Sequence, residues 1–212
     1  MQDLVRKFLS EDDRALIAEK IREAEKRTEG EIVIMVVSSS HHYPLAGIMG
    51  GILFGVAGGV SAALLTGLET MWYFLGFFLL FFALSNELIK RLFPLKRLFV
   101  SRSDMEEEVE EAAIGSFYKK EVYNTKNHTG ILIYISLFEH LVWVLGDKGI
   151  NSRVDRSAWK EITSMITDGI KEKKQVSAIC RAIDLCGDVL ERYFPAGPDN
   201  RNELGDSVII GH

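Results

Sequence analysis

The sequence has little cysteine, little clustered positive charge and none of the short motifs that mark several enzyme classes. Its two cysteines, Cys180 and Cys186, lie in a stretch of helical periodicity and point in different directions, so they match neither a disulfide framework nor a CxxC metal site. No GxSxG, HExxH, Walker or CxxC sequence occurs, which leaves nucleotide hydrolysis, zinc proteolysis and thiol redox chemistry without sequence support. A net charge of -5 argues against nucleic acid as a partner, because neutralising phosphates requires clustered Lys and Arg.

Charge is absent from one long internal stretch. Residues 45–68 contain no charged side chain, and a second apolar run covers residues 71–84. At about 1.5 Å of helix rise per residue, the first run is long enough to cross a hydrocarbon core of about 30 Å. The second run also crosses if Ser85 and Asn86 lie at the interface. We predict a transmembrane helical hairpin over residues 44–93, with helices at about 45–68 and 71–89 and a tight turn around Glu69.

Basic residues are concentrated on one side of this hairpin. The turn carries only Glu69, whereas five basic residues follow the second helix: Lys90, Arg91, Lys96, Arg97 and Arg102. The positive-inside rule places both flanks of the hairpin in the cytoplasm, with the basic residues near anionic headgroups. The first apolar run begins well inside the chain, so no cleaved signal peptide is expected. The sequence therefore predicts a multi-pass membrane protein whose soluble parts are cytoplasmic.

Glycines recur at every fourth position of the first apolar run, at Gly47, Gly51, Gly55 and Gly59. This spacing aligns them on one helix face and lets another helix approach closely. The groove has two interpretations. It receives the aromatic second helix, which offers Phe74, Phe77, Phe78 and Phe81, or it docks the helix of a partner protein or of a second copy.

The remaining residues form one domain that the hairpin interrupts. Residues 1–40 contribute a helix capped by Ser10 and the strand Glu31–Val37, and residues 95–195 contribute a helix, two strands and two further helices. The two strands, at residues 130–136 and 141–145, are joined too closely for a parallel crossover and should form an antiparallel hairpin. We predict an α/β sandwich whose small mixed sheet, of about three or four strands, is flanked by helices. Residues 196–212 are expected to be a flexible tail.

Three segments outside the hairpin carry a resemblance to a known family. They read FLSEDDRALIAEKIREAEKRTEGEIVIMVV, NHTGILIYISLFEHLVWVLGDKGI and SAWKEITSMI, and together they resemble the TPM domain. This resemblance implies a single α/β sandwich, agreeing with the pattern above. Some members of the family are acid phosphatases or bind divalent ions, and others assist the assembly or repair of membrane complexes. Better-known members are exported with the domain ahead of any anchor, so their lumenal or periplasmic roles do not transfer directly.

One edge of the predicted sheet collects polar residues. If the first two strands are parallel, their starts and the end of the third strand meet there, which brings Glu31, Asn127 and Asp147 together near Glu29 and His128. Carboxylate and amide oxygens are ligands for Ca²⁺ or Mg²⁺, and such an ion could position a phosphate. The resemblance falls on the same three residues and on Gly130 and Gly149. The alternative is that Glu31 and Asp147 cap backbone groups while Gly146 and Gly149 supply turn conformations.

Two functions from different classes follow. The first is a membrane-anchored binding module that assists the assembly or quality control of a membrane protein complex, with the bilayer and a membrane protein, or a second copy, as partners. The second is a divalent-ion-dependent phosphatase of weak activity, which the family resemblance implies. At the opposite edge of the sheet, Glu139 and His140 could act as an acid–base pair, but a tight turn favours solvated residues instead.

Overall fold

The structure is a computed structural model that describes residues 2–68, 70–198 and 202–211. The chain divides into two units, one formed by residues 1–40 and 107–212 and the other by residues 41–106. The hairpin unit is thus longer than the sequence suggested, because residues 95–106 group with the hairpin rather than with the α/β domain. Glu69, the centre of the expected turn, lies outside the described residues.

The helices and strands follow the predicted order, with short additions at the ends of the chain, after the second helix of the hairpin and after the third strand. In chain order they are α1 (Gln2–Phe8), α2 (Glu11–Glu25), β1 (Glu31–Val37), α3 (Pro44–Thr66), α4 (Met71–Arg91), α5 (Phe93–Arg97), α6 (Arg102–Lys119), β2 (Gly130–Ser136), β3 (Leu141–Gly146), α7 (Lys148–Asn151), α8 (Arg156–Lys171), α9 (Gln175–Tyr193) and β4 (Ile209–Gly211).

The strands form one mixed sheet in the order β3-β2-β1-β4. β1 is parallel to β2, with Glu31 opposite Gly130, and β2 is antiparallel to β3, with Leu132 opposite Leu145. Every residue of β1 and β2 is buried. Central strands covered on both faces need apolar residues at successive positions, which explains why both sequences lack polar alternation. The predicted α/β fold and the predicted strand hairpin are confirmed.

Each face of the sheet has its own apolar core. On one face, side chains of β1 and β2 such as Ile34 and Ile133 pack with helices α2, α8 and α9, which contribute Ile17, Ile162 and Ile183. On the other face, neighbouring strand residues pack against α6 through Val109, Ala113 and Phe117. Side chains alternate between faces along a strand, so one apolar strand serves both cores. The unit is therefore a sandwich with helices on both sides of the sheet.

Side-chain acceptors cap the starts of α2 and α6. Ser10 caps α2 as predicted, its hydroxyl accepting from the Asp13 N–H while the Asp13 carboxylate accepts from the Ser10 N–H. Helix α6 begins at Arg102, and the Ser101 hydroxyl before it accepts from the Asp104 N–H. Backbone N–H groups in the first turn of a helix need such acceptors because no preceding turn provides carbonyls.

The tail differs from the expectation of a flexible segment. Its last described residues form β4, which runs parallel to the second half of β1, with Met35 opposite Ile209 and Val37 opposite Gly211. The apolar residues Val208 and Ile210 pack against the helical core on one face, and Ile209 packs on the other. An open strand edge presents unpaired backbone groups, and this short apolar segment pairs with the edge of β1.

In the hairpin unit, the glycine face of α3 packs against α4. A Cβ at Gly51 would lie 2.9 Å from the Phe82 ring, one at Gly55 would lie 3.0 Å from the Phe78 ring, and one at Gly59 would lie 3.2 Å from the Phe78 backbone nitrogen. Gly47 faces Asn86. The second helix of the same chain therefore lies against this row of glycines. Phe74 and Phe78 lie beside Gly59 and Phe82 lies beside Gly51, whereas Phe81 lies beside the neighbouring Gly58.

The outer faces of α3 and α4 are apolar and exposed. Leu65 is 88% exposed and Met71 is 78% exposed. Both helices are long and apolar enough to cross a membrane. Only 22% of the most apolar 18-residue stretch of α3 and 6% of that of α4 are buried. A core helix of a water-soluble domain would be mostly buried. This exposure instead fits helices whose outer faces lie in apolar surroundings.

The basic residues at the end of α4 and after it are not all at the surface. Lys90, Arg91 and Arg102 are exposed, with Arg91 paired to Glu87 and Arg102 to Glu106. Lys96 is 9% exposed, and its Nζ lies 5.6 Å from the centre of the Tyr43 ring. Lys96 thus packs against an aromatic ring of the same unit, which distinguishes it from the exposed basic residues.

Candidate functional site

The structure forms the sheet edge at which the sequence placed a site. Glu31 and Gly130 start parallel neighbouring strands and lie opposite each other. The Asp147 N–H, directly after β3, donates to the Gly130 carbonyl at 2.9 Å. The starts of β1 and β2 and the end of β3 therefore meet, as the strand directions predicted. The partners of each side chain decide what this edge can do.

The Glu31 carboxylate is buried and holds the tail. Its Oε1 accepts from the Glu203 N–H at 3.0 Å and its Oε2 accepts from the Leu204 N–H at 3.1 Å, and the residue is 4% exposed. Burial raises the pKa of this carboxyl, and the two N–H donors oppose that rise. Both oxygens are thus engaged by backbone groups of the segment that leads to β4.

The Asp147 carboxylate caps helix α7 and orients a histidine. Its Oδ1 accepts from the Lys148 N–H at 2.7 Å, and its Oδ2 lies 3.0 Å from His128 Nδ1. The His128 side chain is 42% exposed. Asp147 therefore acts as the cap that the sequence left open as an alternative, and it also fixes the orientation of an accessible imidazole.

Asn127, the third predicted ligand, has a different partner. Its Nδ2 donates to Glu29 Oε2 at 2.7 Å. Glu31, Asp147 and Asn127 therefore lie at one edge but engage separate groups. Among the residues that the structure describes, no cluster of three or more His, Cys, Asp or Glu side chains has the arrangement of a metal site. A Ca²⁺ or Mg²⁺ site at this edge stays a prediction.

The two glycines of the edge allow close backbone approaches. A Cβ at Gly130 would lie 2.0 Å from the Val122 carbonyl oxygen, and one at Gly149 would lie 2.5 Å from the His128 carbonyl oxygen. Neither glycine has a positive φ, nor does Gly146. The expectation that Gly146 and Gly149 supply turn conformations is therefore wrong, and at Gly149 the missing side chain is what the structure needs.

A pocket of about 390 Å³ opens beside this edge. Its lining consists of Glu29, Asn127, Gly149, Ser152, Arg153, Tyr193, Phe194 and Pro195. Arg153 Nη1 donates to the Tyr193 carbonyl at 3.0 Å, and its guanidinium carbon lies 4.8 Å from the centre of the Phe194 ring. The remaining guanidinium donors and the Asn127 amide give the pocket groups that bind anions.

Sequence reasoning missed Arg153 and the aromatic wall of this pocket. Arg153 follows the Asp147–Gly149 turn closely, and a basic residue just after a predicted site turn was a usable signal. Phe194 carried no such signal. It reaches the edge because its carbonyl accepts from the Glu29 N–H at 2.9 Å and from the Thr28 hydroxyl at 2.6 Å, contacts across more than 160 positions of sequence.

A second acidic group lies behind Glu31. Glu25 is 8% exposed, and its Oε1 accepts from the Ile32 N–H at 2.7 Å. Burial raises the pKa of Glu25 to about 8, and the nearby charges of Glu31 and Asp206 act in the same direction. Asp206 accepts from Arg22 Nε at 2.9 Å. The Glu25 and Asp206 carboxylates thus hold the edge of β1 and the tail in place, and neither lines the pocket.

The opposite edge of the sheet carries a buried carboxylate. Glu139 is 2% exposed, and it accepts from the Ser39 hydroxyl at 3.1 Å, from the Ser40 N–H at 3.0 Å and from the Ser136 hydroxyl. The expectation of a solvated Glu139 is wrong, because this carboxylate ties the segment after β1 to the β2–β3 turn. His140 is exposed, as expected of a turn residue.

Comparison with known proteins agrees with the fold and with part of the sequence resemblance. Residues 97–189 match the family model of the TPM domain, which includes Asn127, Gly130, Asp147, Gly149 and Arg153 but not Glu31. The NMR structure of the BA42 protein from the psychrophilic bacterium Bizionia argentinensis has the same fold, with 21% sequence identity, a TM-score of 0.61 and 96% of each chain covered. No curated protein matches the sequence. The match to the TPM domain model thus extends from the end of α5 into α9.

Proposed function

We propose that this chain is a membrane-anchored TPM-like module that binds another membrane protein and assists its assembly or quality control. The observation that carries the proposal is the surface of the hairpin. Its glycine face is filled by its own aromatic helix, while its leucine, isoleucine and methionine side chains point outward. Apolar side chains exposed along two long helices fit a lipid bilayer or a partner helix.

The basic residues support a cytoplasmic position for both flanks. Lys90 and Arg91 in the last turn of α4 and Arg102 after it are exposed, and the described residues of the hairpin turn carry no basic side chain. Lys and Arg close to the ends of membrane helices favour the cytoplasmic side. With both termini of the hairpin inside, the α/β unit can act on the cytoplasmic parts of a membrane protein.

Binding is favoured over catalysis by the partners of the site carboxylates. Both oxygens of Glu31 and both oxygens of Asp147 accept from protein groups. Divalent ions require several oxygens that turn toward one point, and these carboxylates turn toward backbone N–H groups and an imidazole.

Membrane insertion and topology can be tested by labelling single cysteines. With Cys180 and Cys186 replaced by serine, Thr70→Cys should react in intact cells with a membrane-impermeant maleimide, and Glu107→Cys should react only after lysis. Both residues are exposed in the structure, so burial does not explain a difference. Extraction of the protein by alkali, or the reverse labelling order, would contradict the proposal.

Partner binding can be tested with a photo-crosslinking amino acid on the hairpin. Leu53 is 58% exposed, whereas Phe78 contacts the glycine face of α3. A benzophenone side chain at Leu53 should give a discrete protein adduct in membranes, and the same group at Phe78 should give only intrachain products. A module that binds no protein would give lipid adducts alone at Leu53 and at the other exposed positions of α3 and α4.

A divalent-ion-dependent phosphatase is the second candidate, and the pocket beside the oriented imidazole favours it. Arg153 and Asn127 could hold a phosphate there, with His128 at the neighbouring turn. The test is turnover of a phosphate ester by the full chain with and without Mg²⁺ or Ca²⁺. Asp147→Asn should abolish turnover, and Asp155→Asn should not, because Asp155 caps α8 away from the pocket. Absence of turnover, or equal loss in both variants, removes this candidate.

A further inference from the structure

Strand β3 ends the sheet and leaves its outer side open. Within residues 2–68, 70–198 and 202–211, no strand pairs with the outer side of β3. The other end of the sheet is closed differently, since β4 pairs with β1 and the Glu25 carboxylate accepts from the Ile32 N–H. The side chains of β3 are half-buried, except for Val142, which is buried.

The hydrogen bonds at the end of β3 show which of its backbone groups face outward. The Asp147 N–H donates to Gly130, which lies opposite it in the register of β2 and β3. In an antiparallel pair, hydrogen-bonded positions alternate, so Leu145, Trp143 and Leu141 bond to β2. Val142, Val144 and Gly146 then point outward. The Gly146 carbonyl agrees, because it accepts from Asn151 Nδ2 at 2.5 Å instead of from β2.

The sequence of this edge lacks the features that usually prevent strand addition. It reads Leu-Val-Trp-Val-Leu from Leu141 to Leu145, with no charge, proline or glycine. Soluble proteins usually protect such an edge with lysine, proline or a bulge. The five residues are also palindromic around Trp143. A two-fold axis at that residue therefore pairs leucine with leucine, valine with valine and tryptophan with tryptophan.

We infer that β3 is a self-association surface, on which β3 of a second copy of this chain pairs antiparallel around a two-fold axis at Trp143. In this register Val142 lies opposite Val144 of the second copy, and the two residues exchange both N–H···O bonds. Val144 and Val142 of the second copy, the pair related by the axis, also exchange both N–H···O bonds. All four outward backbone groups of Val142 and Val144 are then satisfied, which no shift by one residue achieves.

The side chains match as well as the backbone. Leu141, Trp143 and Leu145 share one face of the sheet, so the axis places the two Trp143 rings side by side and each Leu141 beside Leu145 of the other copy. On the other face Val142 meets Val144. A second copy is therefore the partner that the palindrome fits, and an interface repeated by a two-fold axis closes at two subunits. The inference does not rest on the function proposed above.

The register can be tested by disulfide formation. In this register Trp143 lies opposite Trp143 of the second copy. This is a non-hydrogen-bonded position of an antiparallel pair, where the two Cα atoms are about 4.5 Å apart, close enough for a disulfide. Leu141 lies on the same face, but its counterpart in the second copy is four residues away along the strand, or about 13 Å. With Cys180 and Cys186 replaced by serine, Trp143→Cys in the full chain in detergent should form a covalent dimer under mild oxidation, and the matched Leu141→Cys should not.

A second measurement does not depend on cysteines. The full chain should sediment as a dimer in detergent, and Val144→Pro should shift it to a monomer, because proline removes an outward N–H but none that bonds to β2. A wild-type chain that stays monomeric over the concentration series overturns the inference even if a variant fails to fold. Equal cross-linking of Trp143→Cys and Leu141→Cys also overturns it.

Discussion

The two units of this chain bury opposite kinds of residue. The α/β unit buries large side chains, with Ile17, Ile34 and Ile133 all at 0% exposure. The hairpin unit buries backbone at its glycines and exposes its large side chains, of which Leu65 at 88% is the extreme. Water drives the first arrangement through the hydrophobic effect. The second arrangement is the one expected of helices in hydrocarbon, where that force is absent between helices and the close approach of small residues takes its place.

This contrast shows that glycine has different tasks in the two units. In the hairpin, glycines of α3 admit phenylalanine rings of α4. In the α/β unit, Gly130 and Gly149 admit backbone carbonyls, and buried carboxylates accept backbone N–H groups at strand and helix ends. A substitution of the same type should therefore have different consequences in each unit.

The largest effect is expected when a methyl group is added at Gly130. In Gly130→Ala the new Cβ would lie 2.0 Å from the Val122 carbonyl oxygen, so the start of β2 or the segment before it must move. We expect the free energy of unfolding to fall by about 3 kcal/mol, measured by chemical denaturation. Gly115→Ala is the matched control, because nothing lies within 4 Å of its added Cβ on helix α6. It should stabilise by about 0.5 kcal/mol, and equal losses in both variants would contradict the close-approach role.

The corresponding substitution in the hairpin tests the other side of the contrast. Gly59→Leu places a side chain 3.2 Å from the backbone nitrogen of Phe78, and we expect about 2 kcal/mol of helix-pairing free energy to be lost. Gly76→Leu on α4 is the control, since nothing lies within 4 Å of that position. Spin labels at Leu45→Cys and Leu88→Cys report the distance between the helices. If Gly59→Leu leaves that distance unchanged, the glycine face does not hold the hairpin together.

The fold was largely predictable because its signals are local. The continuous apolar runs of β1 and β2 indicated buried strands, and the length of the uncharged run indicated α3. Strand β4 was not predictable in the same way, since three residues give too short a pattern. The burial of Lys96 was not predictable either, because the rule for basic residues counts charge, whereas the Tyr43 ring beside its Nζ lies far away in the sequence.

The site was predictable in position but not in chemistry. Strand order indicated that Glu31 and Asp147 lie at one edge, which the register confirms. The partner of Glu31 is 172 positions away in a tail with no strong pattern, so its engagement could not be read from the sequence. Whether a carboxylate binds an ion or a backbone N–H depends on such contacts.

The buried carboxylates of the α/β unit should make its stability depend on pH. Burial raises the pKa of Glu25 from 4.5 to about 8, so between these values the folded state keeps a proton that the unfolded state releases. This stabilisation is complete below about pH 4.5 and is lost as the pH rises to about 8. Glu25→Gln keeps the acceptor for the Ile32 N–H but cannot titrate.

We expect the wild type to lose about 1 kcal/mol per pH unit relative to Glu25→Gln in this range, measured by chemical denaturation at several pH values. Glu31 contributes in the same direction and remains in the variant, so some dependence should persist. The exposed Glu107→Gln is the control and should leave the slope unchanged. A wild-type slope equal to that of Glu25→Gln would mean that Glu25 is ionised in the folded unit.

The smallest effect is expected at the cap of α7. Asp147→Ala removes the acceptor of the Lys148 N–H and the partner of His128, and we expect a loss of about 1 kcal/mol in unfolding free energy. Asp155→Ala removes a cap of the same type from α8, so the difference between the variants measures the His128 contact alone. Asp147→Ala should therefore cost more than Asp155→Ala, because only Asp147 also contacts an imidazole, at 3.0 Å. Equal losses in the two variants would show that the Asp147–His128 contact adds nothing to stability.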